Sequence, residues 1–135
     1  MKKDSLNNFG LFIMRISLGA IMLTHGIPKL KILFAGNGGE WLNPIGIGAT
    51  PSLALAGTAE CLGSLCIMLG IFTRVSSAVL AFNMAVAAFI FHSNDPFAVA
   101  ELAFVFFTMY MALAFLGAGD FSLTHYLYRR KFRNL

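Results

Sequence analysis

Charged residues are scarce in this sequence. They make up 12% of its 135 residues, whereas apolar residues make up 58%. A soluble globular domain carries about twice that share of charge, so water is excluded as the main solvent of this chain. The length suits one domain, and neither a linker nor a low-complexity stretch divides it. We therefore expect a single integral membrane domain over residues 1–135.

The motifs of many soluble enzymes are also missing. We find no glycine-rich phosphate loop, no Cys-x-x-Cys, no His-Glu-x-x-His and no Cys-x-x-Cys-His haem attachment motif. The two cysteines, Cys61 and Cys66, are separated by about 140° around a helix and point to different faces. A disulfide or a shared metal is therefore not expected, and the sequence predicts neither a metal site nor a covalent cofactor.

The net charge of +4 comes from basic residues near the ends of the chain. They are Lys2, Lys3, Arg129, Arg130, Lys131 and Arg133. Nucleic-acid patches interleave basic with aromatic side chains on one surface, and this sequence does not, so we expect no nucleic-acid partner. Basic flanks beside apolar segments instead suit anionic headgroups and topology selection, which makes the lipid bilayer the expected partner.

Four apolar segments approach the ~20 residues that a membrane-spanning helix needs. They cover residues 9–27, 52–72, 75–91 and 98–117. The second and third are nearly continuous, and their interruption at Gly70, Thr73 and Arg74 predicts a tight helical hairpin that turns at Thr73–Arg74. The pattern predicts an all-α integral membrane four-helix bundle.

The distribution of basic residues predicts the direction of insertion. Four spans place both termini on one side, together with seven of the basic residues, and leave Lys29 and Lys31 opposite. The positive-inside rule then predicts cytoplasmic termini in a prokaryotic plasma (inner) membrane. The 24-residue segment 28–51 would be extracytoplasmic. Because it is fairly apolar, it would lie at the interface or fold back over the bundle, with Trp41 at headgroup depth.

Ionisable residues inside membrane spans are costly, so each is a functional candidate. In this chain they are Arg15, Glu60 and Glu101. Glu60 shares a helical face with small residues, which predicts that it points into the bundle. By helix rise, Glu60 lies about 12 Å below the start of its span and Arg15 about 18 Å below the outer end of its own. An arginine can span that difference, so we expect a structural intramembrane pair of Arg15 and Glu60.

A polar pocket is expected above this pair, near the outer side. Its candidate residues are His25, Lys29, Glu60, His92 and Glu101. Asn83 lies on another side of its helix from an alanine seam that leads to His92, so we expect it outside the cluster. Two alternatives stay open: the two histidines are simple interface residues, or they are axial ligands of a haem between helices. The Arg15 and Glu60 pair would alternatively fix only the helix register.

Several motifs, in this order and spacing, resemble the DoxX family of small four-helix membrane proteins (DoxX/DoxD-like). They are Arg15-Ile-Ser-Leu-Gly, Thr24-His-Gly-Ile-Pro-Lys29, Ala59-Glu-Cys-Leu-Gly63, Leu69-Gly-Ile-Phe-Thr-Arg74 and Gly117-Ala-Gly-Asp-Phe-Ser-Leu123. With His92 and Glu101 the resemblance extends from about Phe9 to Leu123. The closing motif has Ala118 where the family more often has proline.

The resemblance implies a quinone-linked redox role. The family takes its name from a subunit of an archaeal thiosulfate:quinone oxidoreductase, and some bacterial members are linked to membrane complexes that handle thiols and oxidative stress. It implies a non-catalytic or quinone-binding subunit. The sequence contains no recognisable redox centre, so electrons would come from a redox partner subunit or from a bound substrate. The histidines and a carboxylate would deliver protons to the quinone, and Lys29 would stabilise charge on its oxygen.

Two other functions remain open at this stage. Intramembrane charges also mark the paths of a small proton-coupled carrier, for which four short helices would need a homo-oligomer. A scaffold or assembly protein without chemistry is the third possibility. Quinone that co-purifies would favour the first function, and concentrative uptake would favour the carrier.

Overall fold

The computed structural model describes residues 3–133, apart from the side chains of Lys3, Phe132 and Arg133. Lys2, which contributes to the topology prediction, lies outside the described residues. Five α-helices follow one another along the chain, with no strand between residues 3 and 133. They are α1 (Lys3–Phe34), α2 (Ala49–Leu69), α3 (Thr73–Ala85), α4 (Phe97–Leu116) and α5 (Leu123–Arg133).

Four of these helices are long and apolar enough to cross a membrane, which confirms the predicted four-helix membrane architecture. The third reaches this length because a π-helical turn, Val86–Phe91, continues α3 and makes one helical segment of Thr73–Phe91. Helix α5 was not predicted. Its sequence is short and basic, so a search for long apolar segments passes over it.

Helix α1 is longer than the predicted span, because it continues through Pro28 and ends at Phe34. Proline removes one backbone donor, but membrane helices tolerate it where neighbouring groups satisfy the freed carbonyl. The connection to α2 therefore comprises residues 35–48, shorter than the predicted segment 28–51. The interpretation of Pro28 as the end of the span was wrong.

The connection between α1 and α2 folds back over the end of the bundle at which α1 ends and α2 begins, one of the two arrangements expected from its apolar sequence. It contains a short 3₁₀ turn, Gly38–Glu40. The Asn43 side-chain oxygen fixes its end, because it accepts hydrogen bonds from the Gly48 amide at 2.9 Å and the Ser52 hydroxyl at 3.4 Å. This segment covers the α2 and α3 helices below it.

Glycines set the register between α1 and α2. A Cβ atom at Gly26 would lie 2.8 Å from the Glu60 Cβ, and one at Gly57 would lie 3.0 Å from Leu30. Contacts this close require residues without a side chain. Gly26 is therefore level with Glu60, and this register decides which residues of α1 meet the acidic side chain.

The predicted hairpin between the second and third spans is confirmed, but its turn comprises residues 70–72, and Thr73 and Arg74 already belong to α3. Helix α2 ends at Leu69, and Gly70, which follows it, has a left-handed φ of 73°. Glycine adopts that conformation without steric cost. The reversal places α3 between α2 and α4, and the four helices meet in a core that includes Met22, Ile67 and Tyr110.

Candidate functional site

Glu60 lies fully buried at the meeting point of three helices, with 0% of its surface exposed. Its Oε1 atom forms an ion pair with Lys29 of α1 and accepts a hydrogen bond from Asn83 Nδ2 of α3 at 2.8 Å. Its Oε2 atom is buried and has no hydrogen-bond partner in the described part of the chain. One carboxylate oxygen is thus held by two donors, and the other can still accept.

Lys29 reaches this carboxylate because α1 does not stop at Pro28. The lysine follows Gly26 by about one helical turn and faces α2, and its side chain retains 23% exposure. Had the helix ended at Pro28, Lys29 would belong to an exposed loop. The continuation of α1 beyond Pro28 therefore shortens the connection to α2 and also brings Lys29 to Glu60 as its counter-ion.

The predicted pair of Arg15 and Glu60 is not formed. Arg15 Nη2 donates instead to the backbone carbonyl of Phe121, and the guanidinium packs against Gly70. The register explains the difference. Gly26 is level with Glu60, and Arg15 precedes Gly26 by about three turns, or roughly 16 Å along the helix. The sequence-based depth estimate assumed that α1 ends near Ile27, which placed Arg15 too close to the outer side.

Two cavities flank the Lys29 and Glu60 ion pair. The large cavity has a volume of about 440 Å³ and lies between α2, α3 and the connection 35–48. The small cavity has a volume of about 180 Å³ and lies between α1, α3 and α4. Lys29, Glu60, Ala87 and His92 line both. The ion pair is therefore part of a wall that the two cavities share.

The large cavity is lined mostly by apolar side chains, and its polar lining residues are Lys29, Ser52, Glu60, Asn83 and His92. Trp41 lies among the residues of the connection that line it, and Leu55, Val79 and Phe82 line it from α2 and α3. The last three are also 60%, 47% and 68% exposed on the side of the bundle. Part of the cavity lining is therefore on the exposed surface of the helices, whereas Glu60 is buried.

His92 follows the π-helical turn of the third span. Its backbone amide donates to the Ala87 carbonyl at 3.1 Å, five residues back. Its ring Nδ1 atom lies 2.7 Å from Asp95 Oδ2 in the loop before α4. Such π-turns occur often at functional sites, because they rotate the residues that follow them. Here the turn is followed by a histidine that lines both cavities.

The other two predicted pocket residues lie elsewhere. His25 lines the small cavity alone, with its ring centroid 6.1 Å from that of Phe106. Glu101 is exposed on the outer surface of α4 and lines neither cavity. The structure therefore brings Lys29, Glu60 and His92 together, places His25 at one side and leaves Glu101 out.

Asn83 was expected outside the cluster but belongs to it. Helix α3 and the π-helical turn that continues it both pack against α4, and they contain buried Ala81 and Ala88, respectively. Helix α3 also packs against α2, and that second face carries Asn83. A helix between two neighbours has two buried faces, whereas the alanine seam marks only one of them. The signal was available, since an amide in the middle of an apolar span needs a hydrogen-bond partner.

Neither cysteine nor a metal cluster contributes to this site. Cys61 and Cys66 are free thiols, and no group of three or more His, Cys, Asp and Glu residues within 3–133 is arranged to hold a metal. His25 and His92 share the small cavity, whose 180 Å³ is below the roughly 300–1,000 Å³ of a ligand or cofactor pocket. The haem alternative therefore has no support from the geometry.

Comparison with known proteins places the chain in a family. The sequence model of the DoxX family matches residues 10–93. This chain belongs to the DoxX family. The match covers α1 to α3 and the π-helical turn of this DoxX protein, and it includes Lys29, Glu60 and His92 but ends before Glu101. Family and helices together establish a membrane protein.

One relative is similar over almost its whole length. A Haemophilus influenzae protein described as uncharacterized is 30% identical over 128 residues, which cover 89% of this chain and 92% of the relative. No solved structure matches the chain.

Proposed function

We propose that this DoxX protein is a membrane subunit that binds the headgroup of a lipid-soluble quinone in the large cavity. It would lie in the prokaryotic plasma (inner) membrane with both termini in the cytoplasm, as the positive-inside rule predicts. The observation that carries the proposal is Glu60: a fully buried carboxylate with one unpartnered oxygen, in the wall of a mostly apolar cavity whose lining residues Leu55 and Phe82 are exposed on the helix surface.

The cavity has the size and polarity for such a ligand. Its 440 Å³ falls within the ~300–1,000 Å³ of small-molecule pockets, which are mostly apolar with a few convergent polar groups. A quinone carries carbonyl oxygens on its ring and an apolar tail. The ring would meet the donors Lys29 and Asn83, and the tail would leave between Leu55 and Phe82 into the bilayer.

The polar residues around Glu60 match the chemistry of quinone reduction, which takes two electrons and two protons. The Lys29 ammonium would stabilise negative charge that develops on a ring oxygen. A proton on Glu60 would pass to that oxygen, and the carboxylate left behind would accept a hydrogen bond from the new hydroxyl. The electrons would come from a redox partner subunit.

The fluorescence of a natural tryptophan can be used to test this proposal. Trp41 is the single tryptophan of the chain and lines the large cavity, so a bound quinone should quench its fluorescence. We would titrate the protein in lipid nanodiscs with a short-chain ubiquinone. We expect saturable quenching in the wild type and at least tenfold weaker binding in Glu60→Gln.

A matched control separates the site from the general effect of losing a carboxylate. Glu101→Gln makes the same chemical change on the exposed surface of α4, outside both cavities, and should bind within twofold of the wild type. Quenching that rises without saturation in all three proteins would refute quinone binding in the large cavity. So would equal affinity in the two variants.

A further inference from the structure

We infer that helix α5 binds the anionic phospholipid headgroups of the membrane surface beside it. This helix follows the region that matches the DoxX family, residues 10–93, and its binding to lipid does not depend on quinone in the large cavity. The basic ends of the sequence indicate only that the chain meets a bilayer. The structure of α5 indicates which element binds the bilayer surface and which class of lipid it binds.

The start of α5 lies at the boundary of the bilayer. Helix α2 has 21 residues, or about 31 Å, which matches a hydrocarbon core of ~30 Å, and it ends at Leu69. Gly70 follows in the turn between two spans, and its carbonyl accepts a hydrogen bond from the Thr124 hydroxyl of α5 at 2.7 Å. The first turn of α5 is therefore held at the depth where the hydrocarbon ends.

Three basic side chains of α5 lie close to this boundary. Arg129, Arg130 and Lys131 are exposed, and α5 contains no acidic residue. They follow Thr124 by five to seven residues, so they lie at most about 11 Å from it along the helix axis, whatever the tilt of α5. Electrostatic attraction extends over ~8 Å at physiological ionic strength. All three cations are therefore close enough to attract lipid phosphates.

No carboxylate in the described part of the chain pairs with these three cations. The pairs of basic and acidic side chains within residues 3–133 join Lys29 to Glu60, His92 to Asp95 and His125 to Asp120. Asp120 lies just before α5, but it also accepts a hydrogen bond from Asn8 at 2.7 Å. The positive charge of α5 is thus available to an external anion, and lipid phosphates lie at the same depth.

The two sides of α5 suit a helix that lies on a bilayer. Leu127, Tyr128 and Lys131 lie within about 60° of Thr124 around the helix, whereas both arginines lie about 120–140° from it. Leu127 and Tyr128 are 51% and 62% exposed, so the protein leaves this side largely uncovered. An interfacial helix buries its apolar side at the edge of the hydrocarbon and directs its arginines to the headgroups, and a lysine on the apolar side extends its ammonium to the same level.

An acidic partner protein is the alternative occupant. It would pair with the arginines, but it would leave the side with Leu127 in water. The bilayer accounts for both sides of the helix, because it offers phosphates to the cations and hydrocarbon to the apolar side chains. With the cytoplasmic termini proposed above, α5 would lie on the cytoplasmic leaflet, which carries anionic lipids.

A fluorophore on α5 tests the inference without quinone. Leu127→Cys would be labelled with nitrobenzoxadiazole in a protein with Cys61→Ala and Cys66→Ala, and reconstituted in phosphatidylcholine nanodiscs with increasing fractions of phosphatidylglycerol. The emission should shift to the blue as the anionic fraction rises, because the cations draw the labelled side into the bilayer, and high salt should reverse the shift. Emission that does not depend on phosphatidylglycerol would overturn the inference.

Two lysines provide a matched pair of variants. Lys131→Gln should require at least threefold more phosphatidylglycerol for half of the shift. Lys31→Gln removes an exposed lysine at the opposite end of α1 and should leave the response within 1.5-fold, roughly the size of a non-local charge effect.

Neutralising Arg129, Arg130 and Lys131 together with glutamine should abolish the shift. Equal effects of the two single lysine variants would show that net charge, and not α5, attracts the lipid, which contradicts the inference. A probe that ignores phosphatidylglycerol but responds to soluble polyglutamate would reassign α5 to an acidic protein. None of these outcomes bears on the quinone titration, so either proposal can fail alone.

Discussion

Two buried charged residues, Arg15 and Glu60, lie in different halves of the bundle and have different roles. Both are completely buried. Arg15 donates to the Phe121 carbonyl and packs against Gly70 at the turn between α2 and α3, and neither cavity reaches it. Glu60 pairs with Lys29 and lines both cavities. Both side chains keep buried polar atoms without a partner in the described part of the chain, Nε and Nη1 of Arg15 and Oε2 of Glu60. Neither burial of a charge nor free hydrogen-bonding capacity therefore identifies a ligand site; the adjoining cavities distinguish Glu60 from Arg15.

The contacts of Arg15 explain its structural role. Its hydrogen bond reaches the segment just before α5, and Thr124 of α5 donates to the Gly70 carbonyl at 2.7 Å. These two contacts attach the C-terminal part of the chain to α1 and to the α2–α3 turn. Variants that disturb one half of the bundle and leave the other intact test these two roles separately.

The largest loss of stability is expected when the ion pair of Lys29 and Glu60 is broken. Glu60→Gln leaves the Lys29 ammonium without its counter-ion. Breaking a fully buried pair costs ~3–5 kcal/mol, and we expect about 2–4 kcal/mol because the Lys29 side chain keeps 23% exposure. The free energy of unfolding would be measured by titration with sodium dodecyl sulfate. Glu101→Gln should change it by less than about 0.5 kcal/mol.

A double variant tests whether this loss of stability comes from breaking the ion pair. Lys29→Gln combined with Glu60→Gln removes both charges, so the loss should be smaller than the sum of the single losses by at least roughly 0.5 kcal/mol. Strict additivity would show that the two side chains do not interact in the folded protein.

An intermediate loss of stability is expected in the half of the bundle that contains Arg15. A Cβ atom at Gly70 would overlap the Arg15 guanidinium and lie 2.9 Å from the Ser122 Cα, at a φ of 73°. Overpacking and the left-handed backbone together predict a loss of roughly 2 kcal/mol for Gly70→Ala. Quinone affinity of the folded fraction should be unchanged, because the substitution lies away from both cavities.

Gly10 provides the control for that substitution. It lies in α1 with nothing within 4 Å of an added Cβ, so Gly10→Ala should be neutral or stabilising by up to ~1 kcal/mol. A stable Gly70→Ala protein would mean that the turn and the guanidinium are packed less tightly than the structure shows.

The smallest effect is expected from the cysteines. Cys61 and Cys66 are free and on one helix, so changing both to alanine should cost under about 1 kcal/mol and leave quinone affinity within twofold. Loss of ligand binding in a folded double variant would indicate a thiol mechanism in place of the proposed one.

An element of the fold could be predicted from the sequence only where its residues have a clear physical pattern. Apolar length identified the four membrane helices, and Gly70 marked the hairpin. Pro28 misled the boundary of α1, because neighbouring helices in a membrane bundle can compensate for the backbone donor that proline lacks. Helix α5 was missed because a basic, amphipathic helix carries no signal in a search for apolar spans.

The candidate site shows a similar division. The cost of charge in a membrane identified Glu60, and the resemblance to DoxX proteins together with helix position added Lys29 and His92. The sequence could not predict which residue pairs with Glu60, because the pairing depends on the register between α1 and α2. Close contacts at glycines such as Gly26 fix that register, and one wrong helix end paired Glu60 with Arg15 in place of Lys29.

The most direct test of the central claim is photolabelling of the wild-type protein in nanodiscs with an azidoquinone, followed by mass spectrometry of the labelled peptides. The proposal predicts labels on residues 55–60 of α2, on residues 79–87 of the third span or on Trp41, all suppressed by excess unlabelled short-chain ubiquinone. Labels spread over the exposed surfaces of α1 and α4 that excess quinone does not suppress would contradict a ligand site beside Glu60.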